Sequence, residues 1–126
     1  MTTGCGYQTA VWLIGGMAAS AVLAGSMQAA DSDATFTQKV KPLLARKCFD
    51  CHSSKSDELK GNLKLESVDD LLKGGDSGPA VKAGDDDSLL LKAIRYQVED
   101  KQMPPSGKLD DEDIQVIADW VKGLKK

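Results

Sequence analysis

The chain has 126 residues, with 19 Asp and Glu against 16 Lys and Arg and a formal charge of −3. That length leaves room for one compact domain and little else. With no excess of positive charge to hold phosphates, the composition argues against a nucleic-acid partner.

The first charged side chain is Asp31, so residues 1–30 are a different kind of sequence from residues 31–126. An apolar stretch runs from Ala10 to Ala24 and gives way to small residues. It is short of the roughly 20 residues that span a bilayer and matches the roughly 7–15 of a secretory h-region. The expectation is a signal peptide over 1–30, cut near Ala30, and an exported, periplasmic domain over 31–126. Membrane contact follows only if the leader is retained as an anchor. Leu23, Ala24 and Gly25 could open a lipobox, but Ser26 stands where the lipid-bearing Cys would have to be. Beyond the leader the chain keeps Cys48, Cys51, His52 and Met103 as its soft ligands, and Phe36, Phe49, Tyr96 and Trp120 as its aromatics. A core this sparse suggests that something besides side chains is buried.

Phe36, Val40, Leu43 and Leu44 recur at helical spacing and predict an amphipathic helix from about Thr35 to Cys48, with Pro42 kinking it or delaying its start. Residues 53–61 are polar. Leu63 and Leu65 alternate as a short strand would, but one pair decides nothing. Ser67 can cap a short helix over 68–73. Gly74, Gly75, Gly78, Pro79 and Gly84 mark a long turn region. They do not form a phosphate cradle, because no Lys-Ser/Thr follows and no hydrophobic strand precedes. Asp85, Asp86 and Asp87 lack the alternation of a calcium loop and read as a solvated cap region. Ser88 or Asp87 can cap the next helix, with Leu89, Leu90, Ala93, Ile94 and Tyr96 on its apolar face. After Met103, Pro104 and Pro105, Asp110 is the expected N-cap of a last helix. Asp111, Glu112 and Asp113 suit its first turn, and Ile114, Ile117, Ala118, Val121 and Leu124 form one face with Trp120 at its edge.

Cys48-Phe49-Asp50-Cys51-His52 is a C-x-x-C-H pentapeptide, the attachment signature of c-type haem. On a helical turn, residues three and four apart lie on one side, so two thiols and an imidazole can address one planar ligand. Zinc would need a fourth ligand, typically Cys or His, which residues 31–126 do not supply. A thioredoxin-like dithiol calls for a strand before the motif, and a disulfide between residues three apart would constrain little. The pentapeptide therefore predicts one haem c, covalently held through Cys48 and Cys51, with His52 as an axial ligand. Met103 is the remaining thioether, on a loop stiffened by Pro104 and Pro105. It can supply the second axial bond, a known arrangement in cytochromes c. The other readings are that it fills a gap in the core, or that the distal site is open or held by a Lys.

Taken in order, Val40-Lys41-Pro42-Leu43-Leu44 before the haem pentapeptide, Gly61-Asn62-Leu63-Lys64-Leu65, Gly74-Gly75-Asp76-Ser77-Gly78-Pro79-Ala80-Val81, Gly84, Ser88-Leu89-Leu90, Met103-Pro104-Pro105 and the Ile114, Ile117, Trp120, Val121 helix resemble a known group. This group is the monohaem class I cytochromes c, and within it the planctomycete-type cytochrome c domain. The resemblance runs from Phe36 to Gly123. It implies an all-α class I cytochrome c fold around one covalent haem, with the first and last helices packed together. It also implies electron transfer with His52 proximal and Met103 distal. Ala83 before Gly84, where the group often has Pro, is a departure that affects a turn and not a ligand.

The expected activity is outer-sphere electron transfer rather than catalysis, since no second His and no distal acid/base pair mark a catalytic pocket. The alternative is a haem c sensor or peroxidase-like protein with an open distal site. Redox proteins are the expected donor and acceptor, and a monomer is the expected state. Residues 36–64 hold seven basic side chains against three acidic. Lys39, Lys41, Arg46, Lys47 and Lys55 could thus form a positive rim for an acidic partner, or simply a solvated face.

Overall fold

The computed structural model describes residues 28–126. Most of the expected leader lies outside the described residues, and its last three positions, 28–30, open the first helix. Five α-helices follow in order: α1 Gln28–Thr35, α2 Lys41–Lys47, α3 Val68–Lys73, α4 Leu89–Ile94 and α5 Asp111–Gly123. Short 3₁₀ turns lie at Lys60–Asn62 and Glu99–Lys101. No strand occurs among the described residues, where Gly75 and Gly78 form an isolated bridge. The all-α class is therefore as expected.

The first helix differs from its prediction in a specific way. It starts earlier than Thr35, and α1 passes into α2 through a π turn at Phe36–Val40, closed by the Lys41 N–H donating to Phe36 O. Pro42 has no N–H to give, and its ring crowds the carbonyl four residues back. Widening the preceding turn accommodates both facts without ending the helix. The apolar stripe survives the change, since Phe36, Val40, Leu43 and Leu44 are all buried.

That stripe packs against α5, whose Ile114, Ile117, Ala118, Trp120 and Val121 are buried. The Phe36 and Trp120 rings lie 5.2 Å apart at a 39° tilt, and Trp120 Nε1 donates to Ser32 O at 3.1 Å. An indole N–H inside an apolar contact needs such an acceptor. This joins the first and last helices, as the family resemblance implied. Ser67 accepts from the Asp70 N–H at 3.1 Å and caps α3 over the expected residues. Ser88 holds the N-cap position of α4, but its hydroxyl turns back to donate to Asp85 O at 2.7 Å and accept from the Lys82 N–H at 2.9 Å. It thus braces the preceding loop and leaves the helix start uncapped by a side chain. Asp110 likewise stands at the N-cap of α5 without a side-chain bond. The Leu124 and Gly84 amides both reach the C-terminal carbonyls of α5. The loop before α4 is thereby fixed to the helical core.

Candidate cofactor site

The end of α2 carries the thiols. The Cys48 N–H still donates to Leu44 O, and the Cys51 and His52 amides both donate to Cys48 O, at 3.2 and 2.9 Å. This extra turn places Cys48 and His52 on one side, as the spacing predicts. His52 is then held twice by the segment that follows the polar loop. Its carbonyl accepts from the Leu65 N–H at 3.0 Å, and its Nδ1 lies 3.2 Å from Leu63 O. A carbonyl can only accept, so Nδ1 carries the proton and the Nε2 lone pair is left free for a metal. The same bond fixes the plane of the ring.

Cys48, His52 and Met103 line one cavity together with Leu63, Leu65, Leu90, Ala93 and Ile94. It encloses about 180 Å³ and is open to solvent at its mouth. The Gly74–Gly78 turn forms part of the wall. Gly75 makes that approach possible: a Cβ there would run into Gly61 O and lie 3.0 Å from Leu63 Cβ. Lys60 and Lys101 stand among the lining residues with partners of their own, Glu58 at 2.6 Å and Asp100 at 3.5 Å. Cys51 is exposed and is not among the lining residues, so the structure gathers three of the four expected site residues on the wall and leaves the fourth at the surface beside it.

Burial first, and the neighbouring Cys51 second, push the Cys48 thiol up to about 11. That is the reverse of the depressed value that makes a dithiol oxidoreductase nucleophilic. The set consists of one thiol, an imidazole with a free Nε2 and a thioether around an apolar cleft, with a second thiol at the surface beside it. It fits a haem c attached by thioether bonds and ligated along its axis.

Met103 reaches the wall through the loop after α4. Its N–H donates to Ala93 O at 3.1 Å, and the Tyr96 hydroxyl donates to Pro104 O on its other side. Tyr96 was expected on the apolar face of α4. It lies beyond the helix, which ends at Ile94, with its backbone in the left-handed region at φ +59°. Neither the Leu63 carbonyl nor the Tyr96 contact has a sequence signature, because one is a backbone acceptor and the other depends on where α4 stops.

Residues 48–107 match the family profile described as planctomycete cytochrome c. No curated protein and no solved structure matches the chain. The matched segment holds the haem pentapeptide, the glycine turn, α4 and the Met103 loop, and the family implies a covalently bound haem c and electron transfer. Over residues 48–107 the chain is thus similar to a cytochrome c domain of the planctomycete type.

Proposed function

We propose that this chain is an exported, monomeric, single-haem electron carrier, with thioether bonds at Cys48 and Cys51 and axial bonds from His52 and Met103. When bound, the haem supplies a one-electron Fe(III)/Fe(II) couple. The observation that carries the reading is that His52, its Nδ1 already engaged by Leu63 O, and Met103 share one apolar cavity with Cys48. His52 offers a neutral nitrogen whose orientation is set before any metal arrives. Met103 offers a neutral, soft sulfur, which favours the reduced state. Leu63, Leu65, Leu90 and Ile94 give that space a largely apolar lining, which disfavours additional charge there. Both axial positions would then be filled by protein, which leaves the iron no open position for a substrate.

The partner is proposed to be a redox protein with an acidic patch. Among the described residues the ion pairs use bases from Lys60 onward, whereas Lys39, Lys41, Arg46, Lys47 and Lys55 are exposed and take part in none. Among the described residues their charge is therefore not neutralised by an ion pair.

Replacing Met103 by Ala tests the axial assignment. The expected result is a lower reduction potential and rapid carbon monoxide binding by the ferrous protein, against slow binding in the wild type. An unchanged potential means that another residue is the ligand. Equally rapid binding by the wild type supports the sensor or peroxidase-like reading with an open distal site.

A further inference from the structure

The end of α4 is built as a complete left-handed helix stop, but with the wrong residue for one. The Gln97 N–H donates to Lys92 O at 2.9 Å and the Tyr96 N–H to Ala93 O at 3.1 Å, the paired bonds that close a helix around a residue of positive φ. Glycine normally occupies that position, because a Cβ is disfavoured there. Here the position is Tyr96, at φ +59°. A local choice that conflicts with its backbone points to a demand from elsewhere in the fold.

The demand is visible in what the phenol does. With the backbone turned left-handed, the Tyr96 hydroxyl donates to Pro104 O, the carbonyl immediately after Met103. Immediately before the Met103 side chain, its N–H donates to Ala93 O. The same Ala93 carbonyl also receives the Tyr96 N–H, so one helix end holds both flanks of the thioether. Outside these two bonds the loop is weakly held: Gln102 and Ser106 are exposed, and the Gly107 N–H donates to Pro104 O only at 3.3 Å.

We infer that Tyr96 is a positioning residue for Met103, a clamp at the end of α4 that holds the thioether against the cavity and slows its release from iron. The inference rests on Met103 being the distal ligand. It predicts that the phenol hydroxyl, and not the ring, controls how often the sixth position opens.

The test compares wild-type, Tyr96→Phe, Tyr96→Asn and Met103→Ala holoproteins made in a host that matures cytochromes c. Carbon monoxide combines with the ferrous form only as fast as the distal ligand leaves, so its limiting rate reads that release. Loss of one hydrogen bond predicts a rate about tenfold higher in Tyr96→Phe than in the wild type. Tyr96→Asn keeps a residue that tolerates the left-handed backbone but is too short to reach Pro104. It should behave as Tyr96→Phe does, and it serves if that variant does not fold. Hydrogen exchange gives a second reading that needs no ligand: the hydrogen-bonded Met103 and Gly107 amides should exchange about tenfold faster in both variants while those of α5 are unchanged.

Rates in Tyr96→Phe and Tyr96→Asn equal to the wild type, with Met103→Ala fast, would overturn the clamp and leave the ligand assignment standing. Faster exchange in α5 to the same degree as in the loop would make Tyr96 merely structural, and would overturn it as well. Equal rates in wild type and Met103→Ala would instead remove Met103 as the ligand, and the clamp with it.

Discussion

Replacing Gly75 by Ala adds one methyl group at the point where the glycine turn meets the segment holding His52. The new Cβ would collide with Gly61 O and lie 3.0 Å from both Cβ and N of Leu63. These neighbours are backbone or backbone-proximal, so none can swing aside as a side-chain tip would. Overpacking of this kind costs roughly 1–3 kcal/mol. Gly61 O also accepts from the Asp76 N–H at 2.9 Å, and displacing it forfeits about 1 kcal/mol more. The total is about 2–4 kcal/mol, and in a domain of this size each 1 kcal/mol lowers Tm by roughly 4–8 °C. Thermal melting of the holoprotein should therefore fall by at least about 8 °C. Because Leu63 O is the acceptor for His52 Nδ1, the reduction potential should shift as well. Gly123→Ala is the control: it lies in the last turn of α5, where a Cβ meets nothing within 4 Å, and should stabilise by about 0.5–1 kcal/mol. A Gly75→Ala protein melting within about 2 °C of the wild type would refute the argument that the turn and the His52 segment are in contact.

Two further predictions concern charge. Electron transfer to an acidic redox partner should slow as ionic strength rises, and Lys41→Glu or Lys47→Glu should flatten that dependence; a wild-type rate indifferent to salt removes the steering role. The Asp86 carboxyl is held below the usual carboxylate range, chiefly by its hydrogen bond from Arg95, with attraction from Arg95 and Lys122 adding to it. A depressed folded-state value means that its stabilisation is present above the ordinary carboxylate value and is lost as pH falls through the folded one. Asp86→Asn should thus reduce stability at neutral pH and lose less than the wild type on acidification, as read by denaturant melts at two pH values. Identical acid sensitivity of the two proteins would show that the pair contributes nothing.

Much of the site can be read from the residues because its chemistry resides in side chains at short range. The C-x-x-C-H spacing alone puts Cys48 and His52 on one side of a turn, and the scarcity of soft ligands leaves Met103 to consider. Ser67 caps α3 because a hydroxyl before a helical stripe can bond the first free amides. What escaped the sequence depends on distance along the chain. Pro42 signals a disturbance, but whether the helix breaks, kinks or widens is settled by α5 burying Phe36 and Val40 on one stripe. Tyr96 falls on the apolar period of α4 and shows its separate role only because the helix stops before it. The glycine turn was legible as a turn. Its place on the cavity wall was not, since that depends on Gly61 and Leu63 arriving from elsewhere.

The central claim is that Cys48 and Cys51 tether a single haem. Intact-mass spectrometry of the protein from a maturation-competent host, after extraction with acidified organic solvent, tests it most directly. The account predicts a mass above that of the polypeptide by one haem that survives extraction, and its absence in the Cys48→Ala, Cys51→Ala double variant. A colourless protein at the bare polypeptide mass, or haem that washes out of the wild type, would contradict it.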